Sequence, residues 1–117
     1  PLPVGGAFHS ALMEPATVGL ADAINKLHFR DPQVPIVANC TGEPLTSAEG
    51  VRRELVSQIS NCVLWRRSID YMLRCGVSCF VELGPGRTLS SMVKRIDKST
   101  NVVSVGNMDS ILALRRN

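Results

Sequence analysis

Apolar residues in this chain come in two rhythms that alternate along its length. Short runs at Leu2–Phe8, Val34–Asn39, Val77–Leu83 and Val102–Val105 have the length and β-rich character of strands. Between them, apolar positions recur at helical spacing. Ala16, Leu20, Ala23, Ile24 and Leu27 predict a helix from Pro15, where proline suits the first turn. His28 to Pro35 reads as a connection, with His28 at the surface near a helix C-terminus. Thr41-Gly42-Glu43-Pro44 reads as a turn. Thr46 and Glu49 then read as a capping box opening a helix with a buried stripe of Val51, Leu55 and Ile59.

Asn61-Cys62 interrupts that pattern. Trp65, Ile69, Met72 and Leu73 predict the next helix, and Gly76 suits its left-handed C-terminal position. Val77–Leu83 is nearly continuously apolar, as expected of a strand covered on both faces. It leads into Gly84-Pro85-Gly86 and a helix whose expected buried face is Leu89, Met92, Val93 and Ile96. Met108–Leu114 is a last short helix, with Asn107 as its expected cap. Alternating strands and helices predict an α/β fold, a short and partly parallel sheet flanked by helices.

Composition narrows the function classes. At 117 residues, the chain is one domain at most. It starts at Pro1, on what reads as a strand, so the expectation is a piece of something longer. The net charge of +3 is mild, and the basic residues lack interleaved aromatics, which argues against nucleic acid as a partner. No apolar run is long enough for a membrane-spanning helix. Cys40, Cys62, Cys75 and Cys79 form no Cys-x-x-Cys pair, and His9 and His28 complete no zinc spacing, so no metal is expected. Cys62, Cys75 and Cys79 fall in apolar surroundings, which predicts buried free thiols and a reducing compartment.

Candidate chemistry gathers at Gly6-Ala7-Phe8-His9-Ser10, between a strand end and a helix start. A side chain delivered there is well placed for catalysis, and imidazole is the group best suited to moving protons near neutral pH. Ser10 is a poor nucleophile for its neighbour and reads as a turn or cap residue. No Gly-x-Ser-x-Gly elbow occurs in the chain. Glu82 at the end of its strand reads as a partner for a nearby basic group, and Gly84-Pro85-Gly86 as a tight structural turn rather than an anion-binding loop. Arg87, Lys94 and Lys98 fall together on one face and offer a basic surface to an acidic partner.

Taken together, these motifs resemble the malonyl-CoA:acyl carrier protein transacylase family. The stretch Gly6 to Ala16 is similar to the family's active-site histidine segment. The resemblance continues through Val34–Asn39, Gln58–Trp65, Val81–Gly86 and Val93–Ser99, over nearly the whole chain. It implies the C-terminal part of an α/β-hydrolase-like acyltransferase core, after a ferredoxin-like insertion, with residues 1–117 forming a partial domain. The nucleophilic serine, the malonyl-binding arginine and the oxyanion loop would all lie upstream.

By the same resemblance, His9 is the general base, the main-chain carbonyl of Gln58 orients it, and Phe8 shapes the acyl pocket toward malonyl. No bound cofactor is implied; malonyl-CoA is the substrate and the carrier's phosphopantetheine thiol the acceptor. The implied partners are the acyl carrier protein, docking on Arg87, Lys94 and Lys98, and the missing N-terminal part. Alone, the chain is expected to be inactive. Alternatives are an acyltransferase module of a polyketide synthase and a non-catalytic carrier-binding piece. The implied compartment is the cytoplasm, or an organelle matrix. One departure stands out: Asn61-Cys62-Val63-Leu64-Trp65 lacks the proline the family usually has at position 62, which puts the placement of the Gln58 carbonyl in question.

Overall fold

A computed structural model describes residues 6–114, and the chain divides into two compact units within one helix, after Ser68. Leu2 to Gly5 of the expected first strand lie outside the described residues, and Gly6 to Phe8 form turns rather than strand.

In the first unit a 3₁₀ turn, Ala11–Met13, runs into helix α1, Glu14–Asn25, with Pro15 in its first turn as expected. Ile24 is its buried anchor, and α1 packs on α2, Ala48–Ser57. His28 is exposed, as expected, beyond the helix end. The Arg52 guanidinium of α2 donates to the Leu27 carbonyl at 2.6 Å and lies 4.9 Å from the Phe29 ring, which ties down the connection after α1.

The run Val34–Asn39 yields only β1, Ile36–Val37, paired antiparallel with β2, Pro44–Leu45. Pro44 therefore sits in a strand and not in the turn. The start of α2 also differs from expectation. Ser47, not Thr46, is the cap: its Oγ accepts from the Gly50 N–H at 3.1 Å, and Asp31 accepts from the Ala48 N–H at 2.7 Å. The helix start is thus capped by Ser47 and by a carboxylate from the loop before β1.

Helix α3, Trp65–Arg74, carries the unit boundary. It ends as its glycine predicts. Gly76 has φ +86°, its N–H bonds the Leu73 carbonyl, and the Val77 N–H bonds that of Met72.

The second unit is a β–α–β arrangement: β3, Cys79–Leu83; α4, Thr88–Ile96; and β4, Asn101–Val105. The strands are parallel, pairing Phe80 with Val102 and Glu82 with Ser104, and α4 packs on both. Helix α5, Met108–Leu114, follows, and its Ser110 N–H is capped by Asn107 Oδ1 at 2.9 Å. The turn after β3 needs its glycine: Gly84 has φ +132° and gives its N–H to the Val105 carbonyl.

Two expectations fail here. Strand β3 is not covered on both faces: Phe80 and Glu82 are half-buried, while Cys79, Val81 and Leu83 are exposed. Glu82 meets α4, so the alternate residues point the other way. Cys79 is exposed with them, as are Cys62 and Cys75; only Cys40 is half-buried, and burial pushes its thiol pKa up. All four thiols are free. Leu89 is also exposed, leaving Val93 as the buried residue of the expected α4 face and Met92 and Ile96 half-buried.

Among the described residues, Glu82 pairs with no basic group. Its carboxylate accepts from the Leu89 and Ser90 N–H groups at 3.0 and 2.9 Å and from the Ser90 hydroxyl. It thus caps α4, whose own cap position, Arg87, makes no side-chain cap bond. Ser90 Oγ also lies 2.8 Å from Ser104 Oγ, joining the helix to both strands. The Ser90 hydroxyl, first among its partners, holds the Glu82 pKa below the usual carboxylate range.

Asp97 is held lower still, to about 2, by the Ser99 hydroxyl and N–H and by Thr100. A carboxylate depressed in the fold contributes stability that is fully present above its unfolded value and lost as pH falls through the folded one. Asp97 therefore stabilises the second unit above about pH 4, progressively less toward pH 2. Urea midpoints measured across that window should fall with acid in the native chain and fall less steeply in Asp97→Asn.

Candidate functional site

The site lies in the first unit and starts from backbone geometry. His9 has φ +61°, the only positive value among the described non-glycine residues. Such a conformation is costly for a residue with a Cβ and persists where surrounding bonds enforce it, often at functional positions. Here the His9 N–H donates to the Ile59 carbonyl at 2.9 Å, and the Ser10 hydroxyl closes the turn onto the Ala7 carbonyl at 2.6 Å. Ser10 is a turn residue, as expected.

The imidazole is held as firmly as the backbone. His9 Nδ1 lies 2.6 Å from the main-chain oxygen of Gln58. A carbonyl only accepts, so in the neutral ring Nδ1 carries the proton and Nε2 keeps its lone pair. Gln58 is the C-cap of α2, and its carbonyl belongs to the group that a helix end leaves without intrahelical partners. Helix end and carbonyl together fix the orientation of the ring.

The proline missing at position 62 does not displace the carbonyl. The loop after α2 is held by hydrogen bonds instead. Asn61 Nδ2 donates to the Ser57 carbonyl at 2.7 Å, and the Leu64 N–H donates to the Asn39 carbonyl at 2.7 Å.

Sequence reasoning missed the residues behind Gln58. Its side chain accepts from Asn39 Nδ2 at 2.8 Å. Glu54, one turn earlier on α2, accepts the N–H groups of Asn39 and Cys40 through a single oxygen at 2.6 and 3.0 Å. The signal available in the sequence was Glu54 and Gln58 at i, i+4, two polar residues on one face of an otherwise amphipathic helix.

Phe8 adjoins His9 and is 65% exposed; its ring lies over Gly6, where a Cβ would come within 2.6 Å of it. Arg87, Lys94 and Lys98 all belong to the second unit, and their shared helical face is not realised, because α4 spans only Thr88–Ile96. Arg87 precedes the helix and Lys98 follows it. The Lys94 ammonium donates to the carbonyls of Thr100 and Lys98 at 2.6 and 3.1 Å. Among the described residues, no cluster of three metal-ligating side chains occurs and no helix is long and apolar enough to cross a membrane.

No family model matches the chain. Individual proteins do. It is 32% identical over 111 residues to the malonyl CoA-acyl carrier protein transacylase of Bacillus subtilis, covering 95% of the chain and 35% of that protein. It is 30% identical over 114 residues to the transacylase of Synechocystis, covering 97% and 39%. Among solved structures, MCAT from Streptococcus pneumoniae superposes with a TM-score of 0.91 at 35% identity, covering 99% of this chain and 38% of that one. A malonyl-transacylase in complex with its type II PKS acyl-carrier protein gives a TM-score of 0.90 at 37% identity, covering 100% and 38%. The chain thus spans little more than a third of the length of these relatives. The α/β piece with its short parallel sheet superposes on 38% of each neighbour's chain. The chain belongs to the malonyl-CoA:acyl carrier protein transacylase family.

Proposed function

We propose that this chain is the base-bearing C-terminal portion of a malonyl-CoA:acyl carrier protein transacylase catalytic core. The observation that carries the reading is the 2.6 Å contact of His9 Nδ1 with the Gln58 carbonyl, which leaves Nε2 as the basic nitrogen. In the complete enzyme, Nε2 takes the proton of an upstream serine hydroxyl as that oxygen attacks the thioester carbonyl of malonyl-CoA. The C–S bond breaks, and the coenzyme A thiolate leaves with the proton from the imidazolium. The cycle then runs in reverse on the second substrate. Nε2 takes the proton of the carrier's phosphopantetheine thiol, sulfur attacks the malonyl ester, and the serine oxygen recovers a proton. Every step is acyl or proton transfer, so no redox or metal cofactor enters.

Phe8, beside the base, shapes the acyl side of the pocket in this reading, and its bulk disfavours an α-branched acyl group. Arg87, Lys94 and Lys98 contribute positive charge toward an acidic carrier protein. The compartment we propose is a reducing one, cytoplasm or organelle matrix, in keeping with four unpaired thiols.

The test is malonyl transfer from malonyl-CoA to a carrier protein by three preparations. These are this chain alone, a separately expressed upstream half carrying the serine elbow, and the two mixed. Transfer in the mixture alone is the expected result. Turnover by this chain alone would overturn the assignment of the nucleophile to the upstream half, and silence of the mixture would overturn the proposed role of the chain.

A further inference from the structure

The Gln58 residue that touches His9 is itself gripped from the other side. Its carbonyl meets the imidazole, while its side-chain oxygen accepts from the Asn39 amide at 2.8 Å. Asn39 is fixed in turn: its N–H is held by Glu54 at 2.6 Å, and its carbonyl accepts from the Leu64 N–H at 2.7 Å. Glu54 and Gln58 lie one turn apart, so Asn39 pins the last turn of α2 at two points on one face. That last turn is the part of a helix most prone to fray. Its C-cap carbonyl has to stay within hydrogen-bond reach of a ring carried by a residue 49 positions away.

We propose that Asn39 is a positioning residue for the base. Through Gln58 Oε1 it fixes the end of α2, so that the Gln58 carbonyl holds the Nδ1 proton of His9 and Nε2 stays free to accept one. The inference rests on the reading of His9 as the base, but its mark on the molecule can be read without turnover.

The experiment is ¹⁵N NMR of the ¹⁵N-histidine-labelled chain, in which two-bond couplings distinguish ring nitrogens that carry a proton from those that do not. In the native chain neutral His9 is expected in the Nδ1–H form. Asn39→Leu and Gln58→Met each remove one partner at similar volume. Each should lower the ratio of Nδ1–H to Nε2–H by about tenfold, the equivalent of one ordinary hydrogen bond. Asn39→Asp and Gln58→Glu should each retain the native form. In the first, the Gln58 amide turns to donate; in the second, Asn39 still donates to a carboxylate oxygen. Combining those two substitutions sets carboxylate against carboxylate and should lose it.

The amide resonances of α2, recorded on the same samples, report whether the helix is intact. An unchanged tautomer in Asn39→Leu and Gln58→Met would overturn the proposal. So would a change seen only where the α2 resonances collapse, since Asn39 would then serve the fold and not the base. If His9→Ala left transfer intact in the assembled enzyme, the base reading would fall while the tautomer result stood, so the two failures are distinguishable.

Discussion

Replacing His9 by alanine is expected to lower malonyl transfer by the assembled enzyme by about 10²- to 10⁴-fold, the usual contribution of a positioned general base. The loss should fall on kcat and leave KM for malonyl-CoA nearly unchanged, because proton transfer develops in the transition state and not on binding. Neither sequence neighbour of His9 offers a substitute. The neighbouring Ser10 hydroxyl is committed to the Ala7 carbonyl at 2.6 Å, and Phe8 has no ionisable group. The measurement is steady-state transfer to a carrier protein with the native and substituted chains, each mixed with the serine-bearing half. A drop smaller than about tenfold would remove His9 from the role of base. A rise in KM with kcat preserved would make it a binding residue instead. The backbone predicts a lesser, separate effect. Alanine at φ +61° keeps the strain of a side chain in the left-handed region, so His9→Gly should be the more stable of the two variants.

The largest stability effect is expected at Ile69. Among the described residues it is the largest fully buried side chain, with 0% of its surface exposed, and the other buried hydrophobic residues are Ile24, Ala38, Val93 and Val105. Truncating an enclosed branched side chain loses its transfer free energy and leaves a cavity that neighbours fill only in part. Ile69→Ala should therefore destabilise by about 2–5 kcal/mol. A chain with so few enclosed side chains has little stability in reserve, so the urea midpoint should move far toward zero. The control is Leu83→Ala. Leu83 is equally apolar but 76% exposed on the outward face of β3, and its removal should change stability by no more than about 0.5 kcal/mol. Equal effects at the two positions would mean that the enclosure of Ile69 is not a main source of stability.

Much of the architecture was legible before any coordinates. Pro15 and the apolar spacing after it marked α1, Gly76 marked the end of α3, Asn107 capped α5, and the expected parallel part of the sheet is the pair of runs around Phe80 and Val103. The approach of His9 to the Gln58 carbonyl was expected from family resemblance, not from spacing. The polar wiring was not legible. Glu82 looked like the partner of a cation and instead caps α4. The Gln58 side chain, to which the sequence reading gave no part, holds Asn39. Thr46 looked like the cap of α2, but Ser47 takes that place, with Asp31 serving the next donor.

What the chain determined by itself is what local interactions decide: helix periodicity, glycine stops, and the caps formed by residues three or four positions apart. Tertiary structure decided the rest. Strand β3 reads as buried on both sides because its composition is apolar, yet only the face toward α4 is covered. Composition records what a strand tolerates, whereas burial depends on what packs against it. Likewise, a carboxylate or carboxamide accepts from whichever donor the fold brings within about 3 Å. For Glu82 that donor is eight residues away, for Gln58 it is nineteen, and the Gln58 carbonyl meets a ring forty-nine residues distant. No periodicity extends that far, so spacing alone could not find the partners of this site.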